Sequence, residues 1–206
     1  MCLVDVMLEG VKMEKKHFRV TLNSPVILGF VFLCFAALLI DFITLGWANK
    51  ALFSVYRSSL LDPLSYIRIF GHVLGHADWS HFSGNIMTIL IIGPMLEEKY
   101  GSMNMLFIIL VTAVVTGLAH VLLCPNVVLL GASGVLFALI LLTSFVGIKE
   151  KEIPVTLILV ALFYIGGQIY EGLFVQDNVS NLTHILGGMT GSVIGFVMHK
   201  NKMNKY

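Results

Sequence analysis

Long apolar runs separated by short polar connections organise this chain. A helix crossing bilayer hydrocarbon needs about 20 mainly apolar residues, because ~30 Å must be spanned at about 1.5 Å per residue with every backbone polar group bonded internally. Six runs answer to that description: residues 26–43, 82–96, 103–124, 127–146, 153–173 and 182–198. Asp41 interrupts the end of the first, and the second is short, with Ser83, Gly84, Asn85 and Thr88 in its opening half. Polar groups at membrane depth face a bundle interior or a wet cavity. The pattern predicts an all-α polytopic membrane protein, a six-helix bundle with one long outer loop, residues 44–81, between helices 1 and 2. That loop interleaves Trp47, Phe53, Tyr56, Tyr66, Ile67 and Phe70 with polar residues, which predicts short interfacial segments.

Composition agrees: 57% of the 206 residues are hydrophobic and 12% charged, against roughly half and a quarter in soluble domains. A net charge of +1 gives no reason to expect nucleic acid as a partner. Ten of the 13 lysines and arginines fall in the tails and in the connections after helices 2 and 4, whereas Lys50, Arg57 and Arg68 fall in the outer loop. Positive residues stay cytoplasmic, so both termini are expected inside. The organisation expected is a short cytoplasmic N-terminal segment, 1–24, a single membrane domain, 25–199, and a cytoplasmic tail, 200–206. Lys12, Lys15, Lys16 and Arg19 precede the first run as they would in a signal peptide, but no small-residue cleavage site follows it, so it reads as a retained helix. Cys2, Cys34 and Cys124 form no disulfide or metal spacing.

Gly131-Ala132-Ser133-Gly134 falls just inside the start of helix 4. The glycines leave Ser133 open, its N–H has no intrahelical partner, and the helix dipole favours negative charge there, so nucleophile and oxyanion donor share one residue. By itself the motif equally describes a serine N-cap with packing glycines. His184 lies near the start of helix 6, where Gly187, Gly191 and Gly195 recur at i, i+4 and permit close helix approach. Gly134 and Ala138 give helix 4 a matching face, which would bring His184 opposite Ser133. Helices 2, 4 and 6 all run from outside to inside, so Ser133, His184, His81 and Asn85 share one depth near the outer surface. His81 and Asn85, at i, i+4, could donate to one point beside the Ser133 N–H. Spacing alone favours an interfacial His81 and a helix-bonding Asn85, and coincident depth favours an oxyanion hole. His72 and His76 lack the glutamate of a zinc-protease H-E-x-x-H and read as loop packing, with no metal or cofactor expected. His120 reads as a structural hydrogen-bonding residue. Asp41, Asp78, Glu171 and Asp177 have no spacing that would orient His184, so a Ser–His dyad is the simplest arrangement.

Taken together, these residues resemble the rhomboid family of intramembrane serine proteases across helices 2 to 6. The family's H-x-x-x-x-H-x-x-x-N stands here as His76, His81 and Asn85, its G-x-S-G as residues 131–134, and its A-H-x-x-G-x-x-x-G as Thr183, His184, Gly187 and Gly191, with Thr for the usual Ala. Arg68 resembles the arginine of the family's first-loop W-R, with Ile67 in place of the aromatic. The resemblance implies Ser133 as nucleophile, His184 as general base, and His81, Asn85 and the Ser133 N–H as oxyanion donors. It also implies Phe137 packing the imidazole where Tyr is usual, and Glu97 bracing the first loop. Substrates would be single-spanning membrane helices, unwound near the outer face and cut after a small side chain. The short tails resemble the minimal bacterial form, implying a bacterial inner membrane with the active site opening outward. Helix 5, lacking small-residue stripes, is the expected moving gate. Two other readings compete: a non-catalytic rhomboid-like protein that holds membrane clients, which would generally lack the Ser or the His, and a small transporter using His72, His76, His81, His120 and His184.

Overall fold

The computed structural model describes residues 21–59, 61–124, 127–145, 155, 158–160, 162–163, 166–167 and 181–203. Regular structure among them is helical, with one isolated antiparallel bridge between Val55 and Leu129. Helices α1 (Pro25–Ile43), α2 (Pro63–Gly71), α3 (Trp79–Tyr100), α4 (Ser102–Leu123), α5 (Ser133–Thr143) and α6 (Asn181–Met203) follow in order, with a π-helical turn at Asn49–Phe53. Most of the run expected at 153–173, and with it the gate, Glu171 and Asp177, lies outside the described residues.

Helix α1 opens on Pro25, whose missing N–H costs nothing in a first turn. Ser24 supplies no side-chain cap. The orphan N–H groups of Val26 and Ile27 donate instead to the Glu97 carboxylate at 3.0 and 2.8 Å, and Ser102 Oγ donates to it at 2.7 Å. Glu97 is therefore the borrowed cap of α1, at the opposite end of α3 from His81, which corrects its expected role as a brace of the loop at 44–81. Its position near the end of the long helix α3 puts it beside the start of α1. Glu97→Ala would leave one buried and one part-buried N–H group without this acceptor. Its expected effect is a loss of about 2–4 kcal/mol of stability, with Glu97→Gln losing roughly half as much, measured by denaturant unfolding in detergent.

The long connection between α1 and α3 is folded onto the helices. Arg68, buried in α2, donates to the Ala51 carbonyl at 3.0 Å and to Asp62 at 2.9 Å, and its guanidinium lies 4.7 Å from the Tyr56 ring centre. Asp62 also caps α2, accepting from the Leu64 N–H. Arg57 covers the last carbonyls of α4, at Val121 and Leu122. Tyr66, Ile67 and Phe70 of α2 remain exposed, which fits an interfacial helix.

Two boundaries differ from those the apolar pattern suggests. Helix α3 starts three residues before 82 because Asp78 caps it, accepting the His81 N–H at 2.8 Å. Helix α5 starts at Ser133 rather than at 127. Leu129 exchanges both backbone hydrogen bonds with Val55, at 2.8 and 2.9 Å, and Gly131 has φ +129°, so neither residue belongs to a helix. The resulting α5 has 11 residues, with Val135, Leu136, Ala138, Leu139, Leu141 and Leu142 all buried. It is the interior helix, packed against α3, α4 and α6.

The exterior is apolar where a soluble protein's would be charged. Phe32, Leu33 and Phe42 of α1, Met103, Phe107 and Leu110 of α4, and Val193, Phe196 and Val197 of α6 are exposed. Among the described residues, α1 and α4 are long and apolar enough to cross a membrane, while α5 and Thr183–Met198 are apolar but shorter.

Candidate active site

Ser133 is the first residue of α5, and His184 lies in the first turn of α6. His184 Nε2 is 2.9 Å from Ser133 Oγ. Helix contact sets that distance: a Cβ on Gly187 would collide with the Gly134 carbonyl oxygen, and one on Gly191 with the Ala138 carbonyl oxygen. Glycine at both positions lets the α6 backbone lie directly on that of α5. The Phe137 ring sits 4.6 Å from the imidazole, centre to centre, and supports it without a hydroxyl.

A second wall comes from α3. Gly131, at φ +129°, turns the chain into α5, and a Cβ there would stand 2.7 Å from His81 Nε2 and 3.8 Å from Asn85 Nδ2. Both side chains therefore crowd the turn that carries Ser133. The Asn85 amide nitrogen is buried with no hydrogen-bond partner among the described residues, a donor held ready for an acceptor. Ser133 begins its helix, so its N–H points the same way as the other unsatisfied donors of that first turn.

His72 and His76 lie beneath this wall and shape it. The His72 carbonyl accepts the Gly131 N–H at 2.8 Å, while its ring bonds the Ile69 carbonyl at 2.9 Å and Thr116 Oγ1 on α4 at 3.2 Å. The His76 ring meets His81 edge-on at 5.1 Å and Phe82 at 5.4 Å. Burial pushes His72 from 6.5 down to about 4 despite backbone hydrogen bonds, and burial together with neighbouring His81 does the same to His76. Between pH 6.5 and 4 the unfolded chain binds protons at these positions and the folded one does not. The contribution of these two histidines to stability is expected to be full above pH 6.5 and to be lost as pH drops toward 4, as a melting-temperature series in detergent would record. That slope should flatten in His72→Gln.

The structure thus gathers Ser133, His184, His81, Asn85, Gly131, Gly134, Phe137, Gly187 and Gly191 at one place, with His76 in contact behind His81. Arg68 belongs to α2 and Glu97 to the far end of α3. His120 bonds the Val127 carbonyl at 2.9 Å, helping to hold the strand that leads to Ser133. Asp78 caps α3 and Asp41 bonds Asn49. Two contributors escaped the sequence reading. The role of the His72 main chain leaves no trace in side-chain pattern. Thr116 had a visible signal, since Thr112, Thr116 and His120 form an i, i+4, i+8 polar stripe on an otherwise apolar helix.

A family model described as a Rhomboid domain matches residues 63–201. The chain is 30% identical to rhomboid-related protein 1 of Caenorhabditis elegans, over 65% of this chain and 40% of that one. It is 28% identical to rhomboid-like protein 11, chloroplastic, of Arabidopsis thaliana, over 61% of this chain and 50% of that one. With the rhomboid protease GlpG of Haemophilus influenzae it shares 27% identity, over 78% of this chain and 84% of that one. The match spans about half or less of the nematode and plant relatives.

Proposed function

The chain belongs to the rhomboid family and is an integral membrane protein, and from that premise we propose that it is an intramembrane serine endopeptidase. One observation carries the reading: the 2.9 Å contact between His184 Nε2 and Ser133 Oγ. Ser133 Oγ attacks the scissile carbonyl carbon while His184 Nε2 takes the hydroxyl proton, and the carbonyl oxygen becomes the oxyanion. His81 Nε2, Asn85 Nδ2 and the Ser133 N–H are the donors placed for that oxygen. The tetrahedral intermediate collapses to an acyl-enzyme as His184 returns its proton to the leaving amine. Water, deprotonated by the same imidazole, then hydrolyses the ester.

The proposed setting is a single membrane domain, 25–199, of six spans, with both termini cytoplasmic and the dyad opening to the outer side, in a bacterial inner membrane. Peptide hydrolysis consumes water, and an outer position gives the dyad access to it. The substrates proposed are single-spanning membrane proteins, because a carbonyl becomes available to Ser133 only where a helix unwinds near that surface. The test is labelling of the detergent-solubilised protein by a fluorophosphonate, together with cleavage of a model transmembrane substrate. Both should occur in the wild type and vanish in Ser133→Ala. A wild type that neither labels nor cleaves would sink the proposal and leave a client-binding role.

A further inference from the structure

Asp41 stands in the last turn of α1, where the helix dipole disfavours negative charge and the surroundings are apolar. Both oxygens of its carboxylate are engaged by one residue: Oδ1 accepts the Asn49 N–H at 2.7 Å and Oδ2 accepts Asn49 Nδ2 at 2.8 Å. The second proton on Asn49 Nδ2 goes to the His76 carbonyl at 2.9 Å. Two acceptors facing one side of the amide fix which atom is nitrogen. Gly75 is pressed against the Phe53 carbonyl and Asn49 Oδ1, so the segment carrying His76 sits directly on the π-helical turn.

The His76 carbonyl shares its peptide plane with the Ala77 N–H. In a trans peptide the two point in opposite directions, and the described backbone has no cis bond. Holding the carbonyl toward Asn49 therefore aims the N–H the other way, where it donates to His81 Nδ1 at 3.5 Å. A neutral imidazole that accepts at Nδ1 carries its proton on Nε2. Nε2 is the nitrogen against Gly131, on the Ser133 side.

We propose that Asp41 and Asn49 are positioning residues that, through the 76–77 peptide, hold the proton of His81 on Nε2. The inference rests on the reading of His81 as an oxyanion donor, and it assigns a purpose to a carboxylate that the Ser–His pair does not use. Asp41 acts at a distance: its charge strengthens and orients the Asn49 amide, which orients the peptide, which selects the tautomer. Without the relay, His81 divides between two tautomers, and only one of them presents a donor to the oxyanion.

Nitrogen-15 correlation spectra of histidine-labelled protein in detergent read the tautomer directly, with the His81 signals assigned by their loss in His81→Asn. The wild type should show the proton on Nε2. Asp41→Asn, isosteric and still able to accept one bond, should mix the two forms, as should Asn49→Ala. The kcat on a transmembrane substrate should fall at unchanged KM in proportion to the misprotonated fraction, about twofold for an equal mixture. A role confined to folding would lower the melting temperature and leave tautomer and kcat of the folded fraction unchanged. That result in Asp41→Asn, or a wild-type proton on Nδ1, overturns the proposal. The tautomer is read without substrate, so the relay is tested separately from the peptidase reading, which depends on labelling of wild-type Ser133.

Discussion

His184→Ala is expected to lower cleavage of a transmembrane substrate in proteoliposomes by at least about 10³-fold, and the double variant Ser133→Ala/His184→Ala to be no slower than either single one. A serine hydroxyl is a poor nucleophile at neutral pH, and its attack requires a base positioned to take the proton as the new bond forms. The imidazole 2.9 Å away, steadied by Phe137, meets that geometric condition. Base and nucleophile act in one step, so removing the second after the first has nothing left to remove. Two independent contributors would instead multiply their losses. The same variants separate the competing reading: a protein that only holds clients would retain co-purifying substrate in all three variants, and its wild type would leave that substrate uncut. Single-turnover rates, which exclude product release, are the appropriate measurement.

Much of this site can be read along the chain because it is written in local spacing. The i, i+4 glycines of α6 and the small residues Gly134 and Ala138 of α5 by themselves imply a close helix pair, and the structure places Gly187 on Gly134 and Gly191 on Ala138. The alternating direction expected of successive spans predicts His81, Asn85, Ser133 and His184 at one end, and the structure brings them together there. What stays illegible depends on partners distant in sequence. Val127 to Leu130 is as apolar as the helix that follows, and only the pairing of Leu129 with Val55 reveals it as extended. Glu97 offers three acceptor contacts to groups that no spacing connects to it. Asn49 sits in a loop among aromatics and lysine, and its importance emerges only when Asp41 and the His76 carbonyl are found on either side of it. Periodicity reports which faces meet; it does not report which polar groups must be satisfied once they do.

Gly187→Val should be the most damaging substitution outside the reacting groups, losing cleavage by roughly 10²-fold or more while the protein still inserts in the membrane. The obstacle a side chain would meet is the Gly134 carbonyl oxygen, with Gly134 Cα also within 3.0 Å. Backbone cannot rotate out of the way as a flexible side chain can, so α6 must move outward by about 1 Å to restore van der Waals separation. His184 is three residues away on the same helix and moves with it. A 2.9 Å contact lengthened by that amount is no longer a hydrogen bond, and proton transfer from Ser133 loses its path. Stability falls as well, by roughly 1–3 kcal/mol, as is usual for overpacking. Gly29→Ala on α1, where an added Cβ meets nothing within 4 Å, should leave both quantities unchanged. Gly187→Ala is the graded intermediate, since it adds the colliding Cβ without the branches. Equal activity in Gly187→Ala and wild type would show that α5 and α6 do not need to touch for the dyad to form, and would remove the link from the glycine spacing to the chemistry.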